Sequence, residues 1–339
     1  MPPKSELNRT VEIMEDNYFV TKSLAQYLNF TPRLLDKKTV DDFATECDLD
    51  TDCAFRTLFC AACGLDTADS KRDRMLEREY FTEDLHALDP SVYASDPYYQ
   101  QIRIQPQKLG RWELRESHYE PYEPFVCGHL RVTKDFREKA QIGYFKNRFS
   151  FPAVLENGIE WMTITPNEIE TMKQPIAKAH GRVLTLGLGL GYYAFMVSEK
   201  PNVSEITVVE KDKSVIELFK RVILPQFPHS EKVRIIEADA LDYMEKDAPK
   251  EAYDFIFADL WHDQSDGLPL YLRLRRTETL FDQKTEFAYW IEPTILSSIR
   301  HMVFDRILAL GDKFSTTPLA ELLTDDYLKS LAPKLKRIQ

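Results

Sequence analysis

The sequence predicts an α/β fold. A doubly wound, mostly parallel sheet occupies the second half of the chain, behind a mainly helical N-terminal region and a β-hairpin segment. Three observations carry this. Short apolar runs of strand type alternate with helical runs from residue 182 to residue 258, the pattern of strands joined by right-handed helical crossovers. The chain has only 11 glycines, yet four of them fall between Gly181 and Gly191, so they serve backbone geometry there. Asn157-Gly158 separates two alternating runs, the strongest short-range hairpin signal.

The elements follow in order. Residues 1–140 form one region, mainly helical: 11–28, 40–47, 52–63 and 70–81 have helical periodicity and are divided by Asp/Thr-rich turns. From Asp89 the chain turns rich in proline and aromatics, as in Asp96-Pro97-Tyr98-Tyr99 and His118-Tyr119-Glu120-Pro121-Tyr122-Glu123-Pro124-Phe125. That composition predicts either a substrate lid or, more often for such a stretch, an irregular connection with its rings packed onto the core. Residues 141–175 hold the hairpin, with strands at 149–155 and 159–165. Residues 176–312 hold the sheet. Arg182-Val183-Leu184-Thr185-Leu186 is its first strand, Gly187-Leu188-Gly189-Leu190-Gly191 the turn, and 192–198 a helix. Then come a strand at 205–210, a helix at 214–224 closed by Pro225, a strand at 233–237, a short helix at 241–246 and a strand at 253–258. A helix whose Arg273, Arg275 and Arg276 make either a solvated face or a contact for an acidic substrate, a fifth strand at 286–291 and a helix at 293–310 complete it. Residues 313–339 read as a helical tail, with a helix over 319–331 and a basic end.

Length and charge bound the function. The chain has 339 residues, enough for two domains, and a net charge of −11. An acidic chain lacks the positive field that a sequence-independent grip on nucleic acid needs. No apolar run reaches the ~20 residues of a membrane span, and the first ten residues have no apolar signal core. The expectation is a soluble, cytoplasmic protein whose partner is a small-molecule acceptor, with no nucleic acid and no membrane. Five cysteines, an odd number, fit a reducing compartment. Cys60-Ala-Ala-Cys63 has metal-pair spacing but no second tight pair to match it. It reads as thiols packed on a buried helix, with no metal site expected.

The chemistry gathers at the strand ends. Ligands of parallel sheets sit at the carboxyl ends of the strands. There the sequence places Gly187, Gly189 and Gly191, then Glu210, then Asp239 and Ala240, then Asp259. Glycines let a ligand chain approach the backbone. A carboxylate at the second strand end can accept both ribose hydroxyls, and the Asp239-Ala240 pair can face an adenine. The pattern fits an adenosine-bearing cofactor. The glycine spacing is GxGxG, where the dinucleotide fingerprint is GxGxxG.

At these residues the chain resembles the class I S-adenosylmethionine-dependent methyltransferases, and within them the spermidine-synthase-like branch. The resemblance covers residues 142 to about 310 and implies a Rossmann-like domain that binds S-adenosylmethionine. Val183 to Gly191 looks like the family's first motif, Val208-Val209-Glu210-Lys211-Asp212 its ribose-binding strand end, Ala238-Asp239-Ala240 its adenine-side motif, and Asp254 to Asp259 its fourth motif. Aminopropyltransferases resemble this chain in placing a β-rich segment ahead of the cofactor domain. They also carry an Asp where this chain has Leu190, and their paired-Asp segment becomes Asp259-Leu260-Trp261-His262-Asp263, with the second Asp one place later. The reading that results is methyl transfer to an unidentified acceptor. Asp259 orients the acceptor or the cofactor amine, and His262 or Asp263 is the candidate base. The alternatives are an aminopropyltransferase using decarboxylated S-adenosylmethionine and a catalytically inactive nucleoside-binding or interaction protein.

Overall fold

In the computed structural model, residues 4–310 are described; the tail expected at 313–339 lies outside them. The chain divides into two compact units, residues 1–93 with 117–150, and residues 94–116 with 151 onward.

The first unit is built on four helices, Lys4–Phe30, Lys37–Cys47, Thr51–Ala62 and Lys71–Tyr80. The last three start where polar side chains can satisfy free helix N–H groups. Asp36 accepts from the Thr39 amide, Asp50 from the Asp52 and Cys53 amides, and Ser70 from the Asp73 amide. Their apolar faces bury Tyr27, Phe55, Phe59 and Leu76 together with Tyr122 and Tyr144. Phe55 and Tyr144 meet with ring centroids 4.2 Å apart. Cys60 and Cys63 sit inside this core. Burial raises both thiols, Cys63 to about 12, so neither is a thiolate at neutral pH. Among the described residues, no group of three or more His, Cys, Asp and Glu side chains is placed to hold a metal, and no helix is long and apolar enough to cross a membrane.

The Pro- and aromatic-rich stretch is more ordered than an irregular connection. It contains strands of two or three residues, such as Gln107–Leu109 and Phe125–Val126, the latter pairing with Ile142–Tyr144, and the longer Trp112–Tyr119. Strands so short show no period, and Trp112–Tyr119 loses its alternation after Leu114, where charged residues take over. The rings do pack inward, with Tyr98 and Tyr122 among the fully buried side chains.

The second unit holds the parallel sheet. Its strands are β1 (Gly181–Leu186), β2 (Val203–Glu210), β3 (Val233–Glu237), β4 (Phe255–Ala258) and β5 (Glu286–Tyr289), in the order β3-β2-β1-β4-β5. Every neighbouring pair is parallel. This is the Rossmann-like, doubly wound order, with the chain reversing direction across the sheet beside β1. The central strands are buried on both faces; Val183, Leu184, Leu186, Val208, Phe255 and Phe257 have no accessible surface. Burial on both faces explains why they read as continuous apolar runs and not as alternation. The hairpin strands Phe149–Glu156 and Ile159–Thr163 are antiparallel. Asn157 and Gly158 both have positive φ, 52° and 85°, as a type I′ turn requires.

One expected helix is broken. Instead of running from 214 to 224, the chain makes an α-helix over Lys213–Leu218, a π-turn over Phe219–Ile223 and a 3-10 turn over Leu224–Gln226. Pro225 cannot donate the next helical hydrogen bond. The wider π-turn sets the Phe219 ring against Gly191, where an added Cβ would fall 2.3 Å from it.

Candidate active site

The carboxyl ends of the strands border a cleft of about 250 Å³ within the second unit. Gly187, Gly189, Glu210, Asp239, Ala240, Asp259 and His262 all line it. Residues up to 75 positions apart in sequence thus meet at one edge of the sheet.

The glycine turn is explained position by position. Gly187 follows β1 with φ 95°, and a Cβ there would lie 2.1 Å from the Asp259 carbonyl oxygen. The tips of β1 and β4 can approach this closely only around a glycine. Gly189 has φ 48°, and its Cβ would fall 1.6 Å from the Met162 sulfur. Gly191 differs from the other two. It is the left-handed residue that starts the helix Tyr192–Ser198, its glycine is demanded by the Phe219 ring, and it does not border the cleft.

Glu210 is held by its neighbours. Its Oε1 accepts from the Asp212 amide at 2.8 Å and its Oε2 from the Leu188 amide at 3.3 Å. Two backbone donors fix the carboxylate plane and leave lone pairs directed elsewhere, the state suited to accepting a pair of hydroxyls. Asp239 caps the helix Ala240–Lys246, with Oδ1 accepting from the Leu241 and Asp242 amides, while the residue still borders the cleft.

Asp259 closes β4, half-buried beside the glycine turn. Burial, and then the nearby Glu168 carboxylate, push its carboxyl up to about 8. Glu168 was not apparent as a site residue from sequence. It stands at the third position of the helix Pro166–Lys178 in a capping box, its Oε2 accepting from the Thr165 amide at 2.8 Å. Burial raises its carboxyl, and the hydrogen bonds from Thr165 offset part of that rise. The Thr-x-x-Glu pattern at 165–168 announces a helix start and nothing about depth in the fold.

The segment after β4 splits in role. The His262 amide and its Nδ1 both lie within hydrogen-bonding distance of Asp266, at 3.2 and 3.3 Å, so a carboxylate orients the ring. Trp161, from the hairpin, meets that ring edge-on with centroids 4.0 Å apart. Asp263 caps the helix Gln264–Thr277, accepting from the Ser265 amide at 2.6 Å, and does not border the cleft. Trp261 is buried, with its Nε1 donating to the Trp290 carbonyl, and it also forms part of the cleft wall. Two further wall residues, Arg111 and Trp112, come from the Pro- and aromatic-rich stretch. Arg111 bridges Glu156 at 3.0 Å and Asp212 at 2.7 Å. No spacing rule links position 111 to position 212, so only the fold reveals the contact.

With this geometry in place, residues 167–277 match the model of the spermine/spermidine synthase domain family, in agreement with the spermidine-synthase-like resemblance carried by the motifs. No curated protein matches the chain. Among solved structures, a putative O-methyltransferase from Klebsiella pneumoniae aligns at 23% identity over 27% of this chain and 41% of its own, with a TM-score of 0.23. Spermidine synthase from Thermotoga maritima aligns at 20% identity over 37% of this chain and 48% of its own, with a TM-score of 0.27. Each alignment spans less than half of the neighbour's length.

Proposed function

We propose that the second unit is a transferase that binds S-adenosylmethionine and moves its methyl group to a small-molecule nucleophile. The observation that supports this is the convergence of Gly187, Gly189, Glu210, Asp239 and Asp259 on one cleft at the carboxyl edge of the sheet. Glu210 would accept the ribose hydroxyls, Asp239 and Ala240 would face the adenine, and the Gly187–Gly189 turn would cradle the amino-acid chain. When bound, the cofactor supplies an electrophilic carbon on a sulfonium. The chain's own residues then align a nucleophile and manage its proton. His262, oriented by Asp266, is the base we assign, and Asp259 positions the acceptor or the cofactor amine. Asp263 is committed to its helix cap, which leaves His262 as the base of the two.

A second reading, aminopropyl transfer from decarboxylated S-adenosylmethionine, has the family match over 167–277 in its favour. The product separates the two. Incubation with each cofactor and a metabolite extract, followed by mass spectrometry, should yield S-adenosylhomocysteine for methyl transfer and methylthioadenosine for aminopropyl transfer. Neither product would leave a nucleoside-binding protein without turnover.

Cofactor binding has its own test. Removing the Glu210 carboxylate strands two ribose hydroxyls and frees the Leu188 and Asp212 amides. A lost pair of charge-assisted bonds costs about 1–3 kcal/mol, so Glu210→Ala should weaken S-adenosylhomocysteine roughly tenfold or more by calorimetry. Unchanged affinity would remove Glu210 from the site.

A further inference from the structure

Beneath the glycine turn lies a small chamber of about 20 Å³, room for about one water-sized group. Glu168, Thr185, Tyr193 and Asp259 are in its wall, and no lysine, arginine or histidine is. Tyr193 is buried, its ring stacked on Phe257 with centroids 4.2 Å apart. Among the described residues its hydroxyl has no hydrogen-bond partner. A buried polar group left unpaired is unfavourable, and the residue that carries it lines the chamber together with Glu168 and Asp259.

Four residues border both the chamber and the cleft: Met162, Gly187, Leu188 and Asp259. Three of them are fixed. Gly187 and Asp259 are locked together at the strand tips, and Leu188 is buried. Met162 is partly exposed on the hairpin strand Ile159–Thr163, and its thioether packs against Gly189. A methionine side chain has three rotatable bonds and adapts readily. It therefore covers the stretch of glycine backbone over which a ligand chain would run.

We propose that Met162 is the gate between cleft and chamber: turning its thioether off Gly189 joins the two, and the chamber then takes the amine end of the ligand's chain. This rests on the cofactor reading above. An ammonium suits the walls, because it donates hydrogen bonds that Glu168, Asp259 and the Tyr193 oxygen can accept. A ligand that must first displace Met162 binds more weakly in proportion to the fraction of molecules with the gate open.

Two nucleosides test the gate. 5′-Methylthioadenosine carries no amino-acid chain and stays in the cleft, whereas S-adenosylhomocysteine reaches the chamber. In calorimetry on the full chain, Met162→Ala should tighten S-adenosylhomocysteine about fivefold relative to methylthioadenosine, since the closed state is removed. Tyr193→Phe should weaken S-adenosylhomocysteine several-fold, without touching methylthioadenosine. The unliganded Tyr193→Phe protein should melt no lower than the parent, because the hydroxyl it loses has no partner. A Met162→Ala protein that binds S-adenosylhomocysteine no better relative to methylthioadenosine, or variants that shift both nucleosides alike, would overturn the gate and leave the cofactor reading standing. A parent protein that binds neither nucleoside would overturn both.

Discussion

Gly187→Ala should unfold or severely destabilise the second unit. Two costs add at this one atom. The residue has φ 95°, where a Cβ-bearing residue is strained by about 1–3 kcal/mol. The new Cβ would also lie 2.1 Å from the Asp259 carbonyl oxygen, which is backbone and cannot rotate away. Relief requires prying the tip of β1 from β4, although the Asp259 amide is bonded to the Leu186 carbonyl at 2.9 Å. Together these reach about 3–5 kcal/mol, the exceptional end of single substitutions. A drop of roughly 10 °C or more in the melting midpoint follows for a domain of this size. Gly158→Ala is the control. It has φ 85° and nothing within 4 Å of the added Cβ, so it pays only the strain, about 1 kcal/mol in an exposed turn. Equal midpoints for the two variants would show that the close approach at Gly187 carries no energy.

The same residue shows what a sequence can and cannot tell. Gly187, Glu210, Asp239 and Asp259 were legible because each sits at the end of an apolar strand, and strand ends in a parallel sheet share one edge. The alternation of elements and the hand of the crossovers pointed to a doubly wound parallel sheet, while the order β3-β2-β1-β4-β5 is known only from the fold. The glycine turn was legible as a turn, yet the reason for each glycine was not. Gly191 was legible as a turn glycine, but the Phe219 ring that packs against it, from the π-turn after β2, was not. Glu168 was hidden for a different reason. Its pattern belongs to a helix cap, and burial beside Asp259 is a property of packing that no local pattern encodes. Arg111 and Trp112 reach the cleft from a stretch whose strands are too short to show a period. Asp263 was visible as an acid after β4, but an acid in that position is equally the preferred start of a helix, and the Ser265 amide claims it.

Asp259 should make both stability and cofactor binding depend on pH, and Asp259→Asn should remove its share of both dependences, leaving the smaller part due to Glu168. Its carboxyl is pushed up to about 8 by burial first and by the Glu168 carboxylate second. An unfolded aspartate titrates near ~3.9. Between those values the folded protein holds a proton that the unfolded chain has released. The folded state therefore binds more protons, and stability falls as pH rises from about 4 to about 8, then levels. The slope has a ceiling of about 1.4 kcal/mol per pH unit. Residual solvent access at this half-buried residue lowers the whole effect to about 2–4 kcal/mol. Asp259→Asn is neutral throughout, so its urea midpoint should gain on the parent's steadily from pH 5 to pH 8. Binding reverses the preference. A cationic sulfonium or ammonium beside Asp259 favours the carboxylate, so S-adenosylmethionine should expel a proton from the parent protein at pH 7 and bind more tightly as pH approaches 8. Calorimetry at pH 7 in two buffers of different ionisation enthalpy reads that proton directly. The parent should give buffer-dependent heats, and the Asp259→Asn protein should give more nearly equal heats with weaker affinity. Buffer-independent heats in the parent would mean that Asp259 stays protonated in the complex, which would rule it out as the group that receives the cofactor's charge.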